Sequence, residues 1–531
     1  MKMKVVLIVV IGLILSSSMV DAAKLNEEIK SNIESLVREH TLVGGGKVFN
    51  ISELQKAYLH NHYGPFWAKT KQINEFVSQL DHCDADGLQP SDYHLKRIKT
   101  LLSSHNERDR ARLDILLSDA FMLYVSHIQT GKTDPVKIDP QWHVILTEKN
   151  PLNYLYRLSG SSVKEFYAEL ISMLPYYHGL KYQLQRYREM EAKGGWKPIP
   201  EGEMLTPGMH DTRVAMVRRR LSVTGDYSGI IDADSTVYDN TLKAAVINYQ
   251  KRNGLEALGN IGPQTLSIMN VPVGDRIKQI LVNMERLRWL PQRFPSYYLL
   301  VNISDYSLSV FDNYREVGTY PVIVGRSYRQ TPVFHSTMRY LVLNPDWTVP
   351  STVLKNDILP EVQKNPDYLN EKRITVYDVA GNELDASHID WNDEKVTQYI
   401  YRQASGEDNS LGLVKFIFPN QYDVYLHDTP NRDLFQRSER TFSSGCIRVD
   451  HPLALAAYLL RNQDDWNQDK IDQTVASGQT TKVILKKQPE VYLLYLTAWT
   501  NAHGNMEFRN DIYQRDSRVY QGLKTRPEDD E

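Results

Sequence analysis

The stretch Ser443-Ser444-Gly445-Cys446-Ile447-Arg448-Val449 joins a small-residue turn to a β-branched run, and His427 stands 19 residues upstream at the end of a second strand-like run, Val424-Tyr425-Leu426-His427. Cysteine is a strong nucleophile only as thiolate, and an imidazole able to take its proton produces one. Gly445 lets the backbone approach a reacting carbonyl closely, and amides beside a nucleophile are the usual donors to an oxyanion, here those around Ser444 and Gly445. Arg448 supplies a fixed positive charge that can bind a carboxylate or brace the loop. These are the parts of a thiol acyl-transfer site. A buried structural cysteine on a turn, with an unrelated surface histidine, would use the same residue types.

Outward from this stretch, period-two segments rich in β-branched residues recur: Tyr298 to Ile303, Ser307 to Phe311, Val317 to Val324, Tyr340 to Leu343, Leu413 to Phe418 and Asp423 to His427. Strands at this spacing, with few helices between, argue for a β-rich domain. Residues 354–402 interrupt the pattern with charged, helix-prone sequence and read as an insertion over the site, either a lid or a solvated decoration.

A strand carrying His, a loop, and then Ser-x-Gly-Cys-x-Arg resembles the L,D-transpeptidases of bacterial cell walls. The family's usual motif has a histidine before Gly-Cys. This chain has Ser444 there, as do the long Gram-negative members of the YcbB type, and His427 is left as the base of the motif. Thr331-Pro332, Asn344-Pro345-Asp346-Trp347, Arg402-Gln403-Ala404-Ser405-Gly406 and Asp511-Ile512-Tyr513 are similar to family landmarks. The resemblance implies that Cys446 attacks the bond between residue three, a diamino acid, and the D-alanine of a peptidoglycan tetrapeptide stem. A neighbouring stem's side-chain amine would then resolve the thioester into a 3→3 cross-link. It implies His427 as general acid and base, Tyr425 and Arg448 as substrate contacts, and acylation of Cys446 by carbapenems. It calls for no cofactor and no metal. Water, a D-amino acid or an outer-membrane lipoprotein are open alternatives as acceptor, and a non-catalytic wall-binding protein is the rival of another class. Sortases place their His much further from the Cys, and papain-like peptidases place Cys before His.

Upstream, 23–205 reads as a helical scaffold, with helix-like spacing over Leu25 to Leu42 and Ala111 to Ile128. Asp84-Ala85-Asp86-Gly87 fails as a calcium loop because Tyr93 falls where a carboxylate is needed, so a helix-linking turn is expected. Gly194-Gly195 and three prolines mark a linker. Residues 206–272 read as three short helices with Gly turns and resemble a peptidoglycan-binding domain, with a plain spacer as alternative. A connecting helix fills 273–295, the catalytic domain 296–516, and a charged tail 517–531. The expected fold class is therefore multidomain α+β: helical scaffold, three-helix bundle, and a β-rich catalytic domain with a helical capping insertion.

Met1 to Ala22 has the charged, apolar and small-residue order of a secretory signal, too short in its apolar core for a comfortable membrane span. The expected location is the periplasm, with membrane contact only through an uncleaved leader. Export would put Cys83 and Cys446 in an oxidising compartment, but they fall in different domains and both are expected free. The 531 residues, 41% hydrophobic and 24% charged, are ordinary for a globular chain. A net charge of −3 without a basic block argues against a nucleic-acid partner. The expected partners are peptidoglycan stems and glycan, with other wall-synthesis enzymes as candidates.

Overall fold

The computed structural model describes residues 22–40, 47–104, 106–144, 150–158, 162–172, 174, 176–229 and 236–527. The expected leader, apart from Ala22, and the last four residues lie outside this set. The N-terminal part is helical and built around the helix Glu107–Thr130, whose Asn106 cap accepts from the Asp109 amide. Two buried carboxylates on this helix pin the surrounding loops. Asp114 accepts from Tyr58 Oη at 2.6 Å and from the amides of Phe66 and Trp67, while Asp119 accepts from the amides of Phe49 and Asn50. Asp84–Asp86 forms part of a 3₁₀ turn, as expected for a linker between helices. Asp86 is a structural anchor there: Lys181 Nζ lies 2.8 Å from its carboxylate, and its carbonyl accepts from Arg288.

The helix Val273–Arg288 fastens this part to the sheet. Its Ile277, Ile280, Met284 and Leu287 are buried in one hydrophobic core that runs from Leu25 through the sheet to Val519. Its polar face is equally enclosed. Arg286 meets Asp516 at 2.6 Å, and Asn283 exchanges side-chain and backbone bonds with Thr497. The 517–531 segment, expected as a tail, begins with the helix Asp516–Lys524, which buries Val519 and Leu523. Its apolar residues are only four apart in charged surroundings, too short a pattern to stand out in sequence.

Strand β1 (Tyr297–Asn302) pairs antiparallel with β2 (Ser307–Asp312), and β2 with β3 (Arg315–Gly325). Next in the chain come β4 (Phe334–Thr337) and β5 (Tyr340–Leu343). Four strands follow in a separate small sheet: β6 (Trp347–Thr348), β7 (Ile374–Tyr377), β8 (Glu383–Leu384) and β9 (Ile400–Gln403). The main sheet resumes with β10 (Val414–Ile417), β11 (Leu426–His427), β12 (Thr441–Ser443), β13 (Ile447–Val449), β14 (Thr481–Ile484) and β15 (Glu490–Leu494). Its order is β14-β5-β10-β11-β13-β3-β2-β1-β15-β4, with β12 added on β3. The decisive pairing is β11 with β13, parallel, with His427 opposite Arg448.

Two further cores stand apart. The helices Arg213–Val223, Asn240–Arg252 and Pro263–Met269 bury Val214, Val217, Leu242, Val246 and Met269 among themselves. Asp239 caps the second by accepting from the Leu242 amide, and Gly262-Pro263 opens the third. The insertion has its own core from Val349 to Tyr401. It holds a helix over Leu359–Lys364, but the helix-prone stretch near its end is only a 3₁₀ turn, Glu394–Gln398, that gives way to β9. The small β6-β9-β7-β8 sheet has strands of two to four residues, too short to read as a period.

Candidate active site

Residues paired across a parallel ladder project to the same face, and side chains alternate along each strand. His427 and Arg448 therefore share a face, and one step of two residues back along each strand adds Tyr425 and Cys446. Leu426 and Ile447 point the other way and are fully buried. All four side chains of the shared face line a cleft of about 700 Å³, walled on one side by Trp347, Pro350 and Val353 at the root of the insertion.

Local geometry explains why this segment turns as it does. Gly445 has φ of 116°, a region that side chains other than glycine's rarely adopt. The turn is then tied down from three sides. Ser443 Oγ donates to the Cys446 carbonyl at 2.5 Å and accepts from the Gly445 amide at 3.1 Å. Thr331 Oγ1 donates to the Gly445 carbonyl at 2.9 Å and accepts from the Gly325 amide at 2.9 Å. Tyr513 Oη donates to the Gly325 carbonyl at 2.6 Å. The Gly445 amide is thus engaged by Ser443. Ser444 is exposed, and its hydroxyl accepts from Arg329 at 2.9 Å.

His427 is held by its own chain. Its Nδ1 lies 2.6 Å from the Asp428 carbonyl, so Nδ1–H is the donor and Nε2 keeps a free lone pair. The Asp428 carboxylate points elsewhere, accepting from the Leu413 amide at 2.9 Å and from Arg432. Gly412 makes this possible, because a Cβ there would stand 2.4 Å from that carboxylate. A backbone carbonyl is thus the group that orients His427.

Burial, and then the charge of Arg448, hold His427 down to about 3. Burial pushes the Cys446 thiol up to about 11, and hydrogen bonding from Tyr425 offsets part of that rise. Cys446 Sγ is 3.6 Å from the Asp423 carbonyl. The shifts favour a thiol at Cys446 and a neutral imidazole at His427 near neutrality. Arg448 carries a buried Nε with no hydrogen-bond partner among the described residues, so it has capacity left for an incoming group. Arg326 lines the same cleft. Both cysteines are free, and Cys83 is fully buried in the helical part.

Sequence reading passed over Arg326, Arg329 and Asp423 and took Thr331 and Tyr513 only as landmarks. Their roles depend on a loop from one strand lying beside a turn from another, which no local pattern encodes. The short His strand also departs from expectation. Only Leu426 and His427 are ladder-paired, because Asp423 sits in the left-handed region with φ of 54°.

Residues 296–485 match the family described as L,D-transpeptidase catalytic domain, known as YkuD. Residues 52–184 match the scaffold domain, and residues 210–269 the family described as "Putative peptidoglycan binding domain". The chain thus carries an L,D-transpeptidase catalytic domain together with scaffold and peptidoglycan-binding domains. A protein of Haemophilus influenzae named "Putative L,D-transpeptidase" is 36% identical over 243 residues, 46% of this chain and 49% of that one. The chain spans about half the length of that relative. Among solved structures, an L,D-transpeptidase of Xylanimonas cellulosilytica is 14% identical, covering 56% of this chain and 99% of its own, with a TM-score of 0.19. One from Stackebrandtia nassauensis is 13% identical, covering 56% and 97%, with a TM-score of 0.21.

Proposed function

We propose that the chain is a cysteine L,D-transpeptidase that joins peptidoglycan tetrapeptide stems by 3→3 cross-links through a thioester on Cys446. The observation that carries this reading is the shared face of Tyr425, His427, Cys446 and Arg448 at the mouth of one cleft. Sulfur attacks the carbonyl of residue three while His427 Nε2 takes the thiol proton; the same proton then goes to the departing D-alanine amine. The acceptor amine attacks the thioester, its proton passes to His427, and the thiol is restored. The Ser444 and Cys446 amides would hold the oxyanion. Arg448, with its unpartnered Nε, would take a substrate carboxylate, and Tyr425 would donate to sulfur as negative charge builds there. The polymer substrate implies a place outside the cytoplasm, in the periplasm if 1–22 directs export. In this reading 23–205 is the scaffold, 206–272 holds the polymer, and 296–516 does the chemistry.

Muropeptides made from purified tetrapeptide stems test the proposal. The wild type and Cys83→Ala should yield 3→3 dimer and released D-alanine, and Cys446→Ala neither, while remaining folded by circular dichroism. Dimer from Cys446→Ala would sink the mechanism.

A further inference from the structure

A second recess, of about 520 Å³, lies against the turn that carries Arg329 and Gln330. Its other walls come from distant parts of the chain: Asp139 to Gln141 of the helical part and Tyr513 to Arg518 of the C-terminal segment. Gln141 and Gln330 line both this recess and the Cys446 cleft, so the two adjoin there. The helical part is fixed at this edge, since His143 N donates to the Val333 carbonyl at 2.6 Å.

The recess is cationic. Arg329, Arg515 and Arg518 line it against one carboxylate, Asp139. It also contains unused hydrogen-bonding capacity. Arg515 is 6% exposed and Asp139 4%, and their facing atoms, Nη1 and Oδ2, stand 3.6 Å apart with no hydrogen-bond partner among the described residues. Buried polar atoms are costly to leave unpaired, and this loosely closed ion pair sits in the wall of the recess, where a ligand group entering it could complete the missing hydrogen bonds. The remaining donors of Arg515 hold Gln330 Oε1 at 2.7 and 3.2 Å, tying this guanidinium to the residue shared with the Cys446 cleft.

We propose that this recess binds the C-terminal carboxylate of the acceptor stem and so positions the acceptor amine at the Cys446 thioester. The proposal rests on the function proposed above. The donor stem enters the cleft walled by the insertion and leaves its acyl group on sulfur; the acceptor then comes from the side of Gln141 and Gln330. Its amine nitrogen forms the new C–N bond, the C–S bond breaks, and the amine proton reaches sulfur by way of His427. A scaffold segment would thereby help to choose amine over water, a task that sequence position alone would not suggest for it.

The test uses the full chain, a tetrapeptide stem as donor, and as acceptor either a tripeptide stem or its C-terminal amide; neither acceptor has a D-alanine to donate. With wild type, the free-carboxylate acceptor should give about tenfold more cross-linked product per acylation of Cys446 than the amide, the size of one charge-assisted contact. Arg518→Glu, at an exposed position, should erase that preference while the yield of Cys446 acyl-enzyme, read by intact mass, is maintained. Arg518→Lys should retain most of it. Equal use of the two acceptors by wild type, or a preference that survives Arg518→Glu, would overturn the site. If Cys446 takes no acyl group from the tetrapeptide, the function proposed above falls, and this inference with it.

Discussion

At Cys446 the environment works against a standing thiolate. Burial raises the thiol to about 11 while burial and Arg448 keep His427 near 3, so neither group changes charge around neutrality. The rate of Cys446 acylation by a carbapenem should therefore vary less than about threefold between pH 5 and pH 9. A bell-shaped profile with an inflection between pH 6 and 7 would contradict this pairing. Arg448→Met removes the second cause of the histidine's depression, so His427 should rise and the acid limb of the profile move to higher pH. Stopped-flow acylation across acidic buffers reads that shift. At Gly445 the constraint is conformational. A methyl group would meet nothing closer than 3.9 Å, but φ of 116° disfavours it. Gly445→Ala should cost about 1–3 kcal/mol of local strain, relieved by moving the turn, and slow acylation by about a hundredfold with little change in melting temperature. A wild-type acylation rate in that variant would show that the turn tolerates the side chain.

At the scale of elements, the insertion and the Cys446 turn are linked through one residue. Arg329 pairs with Asp357 in the π-helical turn Leu354–Ile358 and also donates to Ser444 Oγ at 2.9 Å. A helix widened in this way commonly marks a functional site. The pair is only partly exposed, with Arg329 at 15% and Asp357 at 36%. Asp357→Asn should weaken the link by about 0.5–1 kcal/mol and increase the share of hydrolysed tripeptide over dimer by about two- to fivefold, because water reaches the thioester. An unchanged dimer-to-tripeptide ratio would make the contact a mere decoration. The sequence showed the insertion as a break in strand period, yet β6 and β9 lie at its two ends and pair with each other. Two-residue strands have no period to read, and the pairing spans some fifty residues of intervening chain.

Across the whole molecule, helical part and sheet share a core, whereas the three-helix bundle has its own. Clean removal of 206–272 should leave a single cooperative unfolding transition for the remainder, while pelleting with isolated wall sacculi falls. Unchanged pelleting would favour a spacer. Arg288 is buried against Glu285 at 2.8 Å. Arg288→Ala leaves that carboxylate buried without its counter-charge, with Thr133 as its remaining donor, and should cost about 3–5 kcal/mol in urea unfolding. Stability should also respond to acid through His127 and His427, both held near 3 by burial. Above the unfolded value near 6.5 both states are neutral and burial carries no proton penalty. Below it the unfolded chain binds protons that the folded one refuses, so stability falls by about 1.4 kcal/mol per pH unit for each histidine until the folded value is reached. His427→Gln should shallow that slope by about one histidine's share in urea titrations at pH 6 and pH 5.

Local sequence determined the parts that are local. Ser-x-Gly-Cys-x-Arg with a histidine in the preceding strand needs only alternation and a glycine turn, and Asp239, Gly262 and Pro263 mark helix starts by chemistry confined to one turn. The tertiary structure decided what is made by contact between distant segments. The Asp428 carbonyl orients His427 only because Gly412 admits the carboxylate beside it. Arg515 faces Asp139 only because the C-terminal helix and the helical part meet at the sheet. The two pKa values that make the pair a thiol and a neutral imidazole come from burial. Burial is a property of everything packed around a side chain, and residue order states it only through the fold.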